Sequence, residues 1–560
     1  MRLPALAAVW TALLAASLPA LGATAAGAAP MVTAARVTAA PVTAAPGPPA
    51  AADGPWRSSV PFRSQVVSSP ARGGGFPSRR GHYQPGTCEP GKYDANFSES
   101  TLATPPGSER LLGASKFFFG RFSTFYNFST GTFDIGGDGK SRLINGYDCT
   151  TTGTQKSPPT WTATTDPNLA FDRRGRAYDV VLAFNWYRLD GNVYVSHTDD
   201  FGRHWQTGNG GRPLETGPVN SPRGTYLDKP WAAVNTVRGS RDEGHVYAVW
   251  AVRRNASSAV HVAVSRDRGA TFSRPRTLPT PQHLGATNPW PYVVVDARGD
   301  VYVAYTTYRS DGTARFWTAR SADDGRTWGG FRPAGPTTRV DLADAYPGTR
   351  VHVGAPESFA ASPDRPGHLY LTWEEQHGRQ LDVRFVASAD GGNSWSAPQL
   401  INDDRSGTDQ VQPVVAAGSR GAVAAAFYDK RAACPDTTAV KPANRGRHNT
   451  CFSLSLQAMR DTGIAVISLG SNRRISRQPW DPEQPAQQRG GLGQLACDAA
   501  DNPCTDIFIG DYFGLVVTPT RISALSVTTA HSSSVRGDAG DSIYYQQQVL
   551  ASVARKNVGL

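Results

Sequence analysis

One short pattern recurs along this chain and constrains the fold more than any other feature. It places Ser or Thr, Asp, Gly, and Trp or Phe at relative positions 1, 3, 5 and 8. It reads TDDFGRHW at 198–205, SRDRGATF at 265–272, SADDGRTW at 321–328 and SADGGNSW at 388–395. Successive copies lie 56 to 67 residues apart. That period is too long for one hairpin and predicts one four-stranded sheet for each copy.

Strand-like runs precede each copy of the pattern. Before 321–328 they are PYVVVD (291–296), DVYVAYTTY (300–308) and ARFWTARS (314–321). Alternating β-branched and aromatic residues between turns that carry Gly or Pro are typical of strands. A degenerate copy of the pattern keeps only Asp461 and Gly463, and a last unit without the pattern lies at 511–550. These two raise the number of repeat units from four to six. We therefore predict an all-β fold, a six-bladed β-propeller of four-stranded antiparallel sheets.

Each copy is expected to fix one hairpin. The Gly permits the positive φ of a tight turn, and the Asp side chain can accept backbone N–H bonds across that turn. The Trp or Phe is expected to pack between neighbouring sheets. The structural positions are Asp200, Gly202 and Trp205; Asp267, Gly269 and Phe272; Asp323, Gly325 and Trp328; and Asp390, Gly392 and Trp395.

The N-terminal part of the chain divides by composition. Residues 1–28 carry one Arg, an apolar run and small residues of the A-x-A type, which predicts a secretory signal peptide and a secreted, extracellular protein. Residues 29–56 are an Ala/Pro/Thr tract that we expect to be disordered. We assign 57–159 to an N-terminal extension packing on the propeller, and 160–555 to the propeller itself. No later run is long enough to span a membrane after signal cleavage.

Six cysteines in an exported chain predict disulfides rather than metal ligation, and no metal or cofactor is predicted. Sequence alone leaves 15 pairings open. Short loop closure favours Cys434 with Cys451 and Cys497 with Cys504, which leaves Cys88 with Cys149. The formal charge of +11 is spread over single Arg residues without a dense basic block, so nucleic acid is a poor partner. We expect a monomer.

The repeated pattern resembles the Asp box, or BNR repeat, of the sialidase superfamily. Three copies match it fully, the copy at 198–205 has His204 where Ser or Thr is usual, and the likeness covers about 160–550. The resemblance implies the propeller of that superfamily. In that superfamily the Asp boxes lie at the periphery, away from the catalytic centre, so the resemblance implies the fold more strongly than the activity.

The resemblance also implies a catalytic set of three Arg that bind the substrate carboxylate, an Asp acid/base, and a Tyr nucleophile assisted by a Glu. By place along the chain the candidates are Asp190, Glu357 and Tyr512, with Arg431 as one of the three Arg. The stretch at 165–169, where the first Arg is expected, reads TDPNL and holds none. Structural alternatives remain open: a hairpin turn at Asp190, a packed strand Tyr at 512, and a surface ion pair of Arg431.

Further substrate-binding candidates are Lys229, Trp231, Asp429 and Asp511. Three functions remain open. The first is a secreted sialidase-like glycoside hydrolase, an exo-α-sialidase in its most specific form, acting on extracellular glycans. The second is a propeller that binds glycan or protein without catalysis, through DKPW (228–231), NPW (288–290) and DQ (409–410). The third is a glycosidase of another specificity that uses paired carboxylates such as Glu357, Glu374 or Asp429.

Overall fold

The structure is built from β-strands. The computed structural model of the protein describes residues 60–68, 96–118, 128–135, 141–143, 163–185, 190–218, 225–254, 257–279, 290–340, 345–436, 440–483, 507–531, 544 and 546–560. The helices within these ranges are short 3-10 turns, at Asn209–Gly211, Pro442–Asn444 and Arg555–Val558, and none of them could cross a bilayer. The predicted signal peptide and spacer lie outside the described residues.

The strands group into seven antiparallel sheets, which we call blades 1 to 7. The chain begins with β1 (Phe62–Val66), which belongs to blade 7. Blade 1 holds β2 (Asn96–Ala103), β3 (Leu111–Phe118), β4 (Phe128–Ile135) and β5 (Ser141–Leu143). Blade 2 holds β6 (Ala163–Phe171), β7 (Ala177–Asn185), β8 (Asp190–Thr198), β9 (Gln206–Thr207) and β10 (Glu215–Pro218). Blade 3 holds β11 (Thr225–Val234), β12 (Val246–Arg254), β13 (Ser257–Ser265) and β14 (Arg276–Thr277).

The remaining blades follow in chain order. Blade 4 holds β15 (Tyr292–Val295), β16 (Val301–Tyr308), β17 (Thr313–Ser321), β18 (Arg332–Pro333) and β19 (Thr338–Arg339). Blade 5 holds β20 (Glu357–Ala361), β21 (Leu369–His377), β22 (Gln380–Ser388) and β23 (Gln399–Leu400). Blade 6 holds β24 (Gln410–Gly418), β25 (Ala422–Asp429), β26 (Ser453–Asp461), β27 (Val466–Ser468) and β28 (Arg473–Arg474). Blade 7 holds β29 (Gly514–Val517), β30 (Arg521–Thr528) and β31 (Gln547–Ala554) together with β1.

The sheets close into a ring. The innermost strand of each blade contacts the innermost strand of the next, and β29 of blade 7 contacts β2 of blade 1. The protein is therefore a β-propeller of antiparallel sheets, as predicted, but its described residues form seven blades, so the prediction of six is wrong. The additional blade comes from 96–143, in the region that the sequence analysis assigned to an N-terminal extension. It was missed because this segment carries no copy of the repeated pattern.

The two ends of the described chain meet in blade 7. Strand β1 pairs antiparallel with β31, with Phe62 opposite Val553 and Val66 opposite Val549. The outer strand of the last blade is thus supplied from the start of the chain. Because β1 and β31 are far apart in sequence, their pairing holds the ring closed by backbone hydrogen bonds.

Apolar side chains fill the spaces between blades. Tyr247 and Val249 of β12 pack in one cluster with Val301 and Val303 of β16, for example. Burying such side chains stabilises the fold by roughly 1.5–3 kcal/mol each. Each blade therefore depends on its neighbours for the burial of its faces.

The repeated pattern forms the same turn in all four full copies, and we call these four segments the repeat turns. The first hydroxyl donates to the Asp carboxylate at 2.8–2.9 Å and accepts the Gly N–H at 2.7–3.0 Å. The same carboxylate accepts the backbone N–H of the seventh residue at 2.8–2.9 Å. Each Asp thus closes its own turn and is not available as a catalytic group.

The Gly of each repeat turn lies against the preceding blade. A Cβ on Gly269, whose φ is +85°, would lie 2.8 Å from Cε1 of Tyr178 in blade 2. Trp205 of the first turn is buried beside Ala103 and Leu112 of blade 1. The turns therefore join blades as well as hairpins, and Gly is required both for its backbone conformation and for the close approach.

The disulfide between Cys434 and Cys451 is present, with an S–S distance of 1.98 Å, and confirms that predicted pair. The other four cysteines, Cys88, Cys149, Cys497 and Cys504, lie outside the described residues.

We predict that Gly269→Ala lowers the free energy of unfolding more than Gly239→Ala does. Gly239 has a φ of +73°, but a Cβ added there would have no other atom within 4 Å, so its Ala variant reports only the backbone cost, roughly 1 kcal/mol. Gly269→Ala adds the clash with Tyr178, roughly 1–3 kcal/mol more. Urea unfolding of both variants measures the difference, and equal losses would contradict a role for Gly269 between blades.

Candidate functional site

The same irregularity interrupts the innermost strand of four blades. Strands β2, β6, β11 and β24 each shift register near their N-terminal end, between Ser98 and Thr101, Thr165 and Asn168, Asp228 and Trp231, and Val411 and Val414. The first extra residue of each bulge has a positive φ, and these residues are Glu99, Asp166, Lys229 and Gln412. Positive φ is strained for residues with a Cβ, and such bulges redirect side chains.

Pro follows three of these bulge residues, at Pro167, Pro230 and Pro413. A Pro has no N–H to donate to the ladder, so it fits where pairing is already broken. The four bulges lie at the same end of the ring, because the innermost strands run in the same direction. The repeat turns lie at the opposite end, since each follows the C-terminal end of a third strand that runs parallel to the first.

Charged side chains meet at the bulged end of the ring axis. We call Glu99, Asp166, Asp228, Lys229 and Asp511 the axial cluster. The Lys229 ammonium lies 2.5 Å from Asp511 Oδ2, 3.8 Å from Asp228 Oδ1 and 3.9 Å from Asp166 Oδ2. All four carboxyl groups are buried.

Among the described residues, Lys116, Arg253 and His352 also contact the cluster, and His352 Nε2 lies 3.9 Å from Asp511 Oδ1. Lys116 Nζ lies 3.5 Å from Glu99 Oε1, and Arg253 Nε lies 3.2 Å from Asp228 Oδ2. Lys229 Nζ also lies 4.3 Å from the centre of the Trp290 ring. Burial lowers the pKa of Lys229, but its three aspartates outweigh burial and raise that pKa well above its usual value. Lys229 is therefore a fixed positive charge.

The surroundings shift the pKa values of Asp166 and Asp511 in opposite directions. Burial, together with the neighbouring Glu99 carboxylate, raises the pKa of Asp166 to about 7. Burial also acts to raise the pKa of Asp511, but the charge of Lys229 outweighs it and holds that pKa below the usual value. One carboxyl group of the pair can thus carry a proton at neutral pH while the other is ionised.

The axial cluster borders a cavity of about 120 Å³ on the ring axis. In the part of the chain that the structure describes, four buried oxygens around this cavity make no hydrogen bond: Ser100 Oγ, Asp166 Oδ2, Asp511 Oδ1 and Gln412 Oε1. Asp511 and Gln412 line the cavity, and Asp166 lines a narrower space beside it with Lys229. Unsatisfied buried acceptors are costly, which indicates that water or a ligand binds here.

Five of the residues predicted from the sequence come together at this cavity: Trp231, Glu357, Asp511 and Tyr512 line it, and Lys229 contacts Asp511. The rings of Trp231 and Tyr512 meet edge to face at 5.5 Å. The predicted substrate-binding group is therefore partly assembled by the fold.

Tyr512 and Glu357 share the cavity but engage other partners. The Tyr512 hydroxyl donates to the Pro167 carbonyl at 2.8 Å, and burial raises its pKa well above the usual value. Glu357 accepts hydrogen bonds from Thr306 and Tyr308 of blade 4. Among the described residues, no hydrogen bond joins Tyr512 to Glu357.

The fold places the other predicted residues elsewhere. Arg431 binds Asp403 at 2.5 Å and Asp429 at 2.8 Å beside blade 6, and neither it nor Asp429 lines the axial cavity. Asp190 begins β8, the third strand of blade 2, and its side chain lies outside the described residues. Asp409 pairs with the buried Lys430 at 3.0 Å.

Sequence reasoning missed Glu99, Asp166 and Arg253. Asp-Pro at 166–167, Lys-Pro at 229–230 and Gln-Pro at 412–413 share a signal, a polar residue followed by Pro inside a strand-like run. Such a pair argues for a bulge. Reading the pairs together could have indicated Asp166, although not the partner that each side chain finds.

One group of described residues has spacing that could suit a metal ion: Asp242, His245 and Asp324. It lies at the repeat-turn end of the ring, away from the axial cluster. The Asp324 carboxylate already accepts hydrogen bonds from His245 at 2.8 Å, Tyr247 at 2.7 Å and Arg266 at 2.6 Å. These bonds link blade 3 to the repeat turn of blade 4, so we interpret the group as a contact between blades.

No protein-family model and no curated protein matches this chain. Solved structures resemble it at low identity. A protein of unknown function from Dyadobacter fermentans DSM 18053 is 13% identical over 66% of this chain and 94% of its own, with a TM-score of 0.38. The Hadza microbial sialidase Hz136 is 12% identical over 78% and 75%, with a TM-score of 0.37. The GH93 α-L-arabinofuranosidase of Fusarium graminearum is 11% identical over 60% and 95%, with a TM-score of 0.31. Similarity at this level carries no inference about function.

We predict that Glu357→Gln removes part of the pH dependence of stability. Burial raises the pKa of Glu357 to about 8 from 4.5, so the folded protein binds a proton that the unfolded chain releases between these values. Stability from this group is present below pH 4.5 and falls by up to about 1.4 kcal/mol per pH unit as pH rises towards 8. The free energy of unfolding, measured with urea at pH 5 and pH 8, should be higher for Glu357→Gln relative to the native protein at pH 8 than at pH 5.

Asp311→Asn is the matched control for that measurement. Asp311 is exposed, and hydrogen bonds from Thr313 lower its pKa, so it stays ionised from pH 5 to 8 in both states. Its variant should differ from the native protein by the same amount at both pH values. A Glu357→Gln difference that does not change with pH would contradict a neutral Glu357.

Proposed function

We propose that the protein is a secreted glycoside hydrolase that acts on extracellular glycans at the axial cluster. In this proposal Asp166 donates its proton to the glycosidic oxygen as the bond from that oxygen to the anomeric carbon breaks, and the ionised Asp511 stabilises the positive charge that develops on this carbon. Water then bonds to the anomeric carbon and gives up a proton that restores Asp166. The observation that carries the proposal is the pair of carboxyl groups beside one ammonium with pKa values displaced in opposite directions. Two such groups are what hydrolysis of a glycosidic bond requires.

The hydrogen bonds of Asp166 support its role as the acid. Thr165 Oγ1 lies 2.7 Å from Glu99 Oε2 and 3.1 Å from Asp166 Oδ1, while Asp166 Oδ2 makes no hydrogen bond among the described residues. A proton on Oδ2 is therefore free to pass to the glycosidic oxygen of a substrate. The Glu99 carboxylate nearby favours the protonated form.

Lys229 supports the role of Asp511. Its ammonium donates to Asp511 Oδ2 at 2.5 Å and leaves Oδ1 without a hydrogen bond in the described structure. One oxygen of Asp511 is thus held by charge, and the other is available to face an oxocarbenium-like centre. Lys229 acts here as a positioning residue, because it acts through Asp511.

The exo-α-sialidase form of the sequence-based hypothesis receives less support. That chemistry asks for a Tyr nucleophile next to a Glu, and for arginines that bind the substrate carboxylate. Tyr512 instead donates to Pro167, and Glu357 is bonded to Thr306 and Tyr308. We therefore favour the paired-carboxylate glycosidase, the third function left open by the sequence.

The position of the site also supports action on an external ligand. The axial cluster lies at the end of the ring where one blade connects to the next and where the second strand of each blade turns into the third. These connections include the loop closed by Cys434 and Cys451. Binding sites concentrate on such loops, and a disulfide of this kind persists in oxidising compartments.

We predict that Asp166→Asn lowers kcat/KM by roughly 10²–10⁴-fold on substrates with poor leaving groups, because their oxygen must be protonated. The loss should be much smaller on 2,4-dinitrophenyl glycosides, whose leaving group needs no acid. Asp511→Asn should lose activity on both. Initial rates over a panel of aryl glycosides measure this, with Asp311→Asn as the control that keeps native rates.

The pH profile gives a second check on the same roles. Activity requires Asp166 protonated, so kcat/KM of the native protein should fall as pH rises above about 7. The groups that face Asp166 are Glu99, Lys229, Lys116 and Asp511. If no glycoside of any class is turned over, the protein is a binding propeller, and the hydrolase proposal is wrong.

A further inference from the structure

The axial site contains mainly hydrogen-bond acceptors and positively charged side chains. The positively charged Lys and Arg side chains are already paired with carboxylates. In the described structure each Lys or Arg that contacts the cluster has its own carboxylate: Lys116 with Glu99, Lys229 with Asp511, and Arg253 with Asp228. His352 also contacts the cluster, with Nε2 3.9 Å from Asp511 Oδ1. Four carboxyl groups face these three Lys and Arg side chains. A ligand that enters the site therefore finds no Lys or Arg, among the described residues, that lacks a carboxylate partner.

The oxygens left without hydrogen bonds point to a ligand that donates. Asp511 Oδ1 and Gln412 Oε1 are buried, line the same cavity, and accept no hydrogen bond from the described residues, although His352 Nε2 lies 3.9 Å from Asp511 Oδ1. The Ser100 hydroxyl, which can donate or accept, is a third unbonded group there. Gln412 cannot easily offer its amide N–H instead, since Nε2 donates to the Gly510 carbonyl at 2.7 Å. Sugar hydroxyls are donors of the required kind, whereas a carboxylate offers only acceptors.

The size and walls of the cavity fit hydroxyl groups. Its volume of about 120 Å³ has room for several water molecules. Trp231, Tyr292 and Tyr512 supply apolar walls. Hydroxyls of a sugar ring can thus displace water and bond the two free acceptors while its C–H groups lie on the aromatic rings.

From these contacts we propose that the axial site binds uncharged sugars and rejects sugars that carry a carboxylate, including sialic and uronic acids. The inference rests on the proposed function in taking the axial cluster as the substrate site. A carboxylate placed beside the ionised Asp228 and Asp511 meets like charge without an unpaired Lys or Arg to compensate it. Selectivity thus comes from the pairing of each Lys and Arg at the cluster with a carboxylate. Removing one of these carboxylates should weaken or reverse the selectivity.

Binding of monosaccharides that cannot be hydrolysed tests the inference separately from catalysis. The probes are D-glucose, D-galactose, D-mannose and L-arabinose, set against D-glucuronate, D-galacturonate and N-acetylneuraminate, measured on the full secreted chain by ligand-observed NMR. At least one neutral sugar should bind at least about tenfold more tightly than its matched uronate, which corresponds to about 1.4 kcal/mol. Absence of binding by every neutral sugar, or equal or tighter binding of an acidic sugar, overturns the inference.

Asp228→Asn gives the sharper test, because it removes one negative charge and leaves Arg253 without its carboxylate. Its affinity for the uronates should rise by about tenfold or more relative to the native protein. The Arg253 guanidinium would keep its hydrogen bond to Tyr226 but would have no carboxylate partner, so it could attract the carboxylate of the ligand. Asp311→Asn makes the same chemical change at an exposed hairpin and should leave selectivity unchanged. Thermal unfolding of each variant checks that it is folded.

The outcomes separate the two proposals. Neutral-sugar binding without hydrolysis of any glycoside would keep the selectivity inference and reject the hydrolase. Hydrolysis of sialosides would keep a glycosidase at this site and reject the selectivity inference. If Asp228→Asn is folded and still rejects uronates, pairing of Arg253 is not the basis of selectivity, and the inference as stated is wrong.

Discussion

Closure of the ring is the constraint on which this structure depends. Each blade has two faces that must be covered. If the blades formed an open row, one face of the first blade and one face of the last blade would stay exposed. The contact of β29 with β2 covers those faces, and the pairing of β1 with β31 ties the two ends of the described chain into one blade. The repeat turns add a second set of ties between neighbours, because their Gly and Trp or Phe residues pack on the preceding blade.

Closure also has a cost at the axis, where seven innermost strands converge. Their N-terminal ends are bulged in four blades, and the bulges direct Glu99, Asp166 and Lys229 to a common place. Burying so many charges is unfavourable unless they are paired. Lys229 provides that pairing for aspartates from three blades, and so it links stability at the axis to the ionisation of Asp166 and Asp511.

The two ends of the ring are therefore specialised by the same backbone topology. At one end, the carboxylates of the repeat turns are saturated by their own turn and have only structural roles. At the other, the carboxyl groups come from different blades and leave single oxygens without hydrogen bonds in the described structure. Chemistry at an aspartate is possible only where the surroundings leave an oxygen available and set its protonation state.

The sequence alone determined the fold class and part of the site. Periodic turns and alternating strands are local properties, so they predicted antiparallel blades, and Lys229, Trp231, Glu357, Asp511 and Tyr512 were named before their meeting at one cavity was known. The number of blades could not be read in the same way, because blade 1 lacks the repeated pattern and β1 joins a blade from the far end of the chain. The roles of Asp166 and Glu99 were likewise decided only by the tertiary structure. A bulge reverses which side of a strand a residue faces, and a pKa depends on burial and on charges from other blades, neither of which is a property of the local sequence.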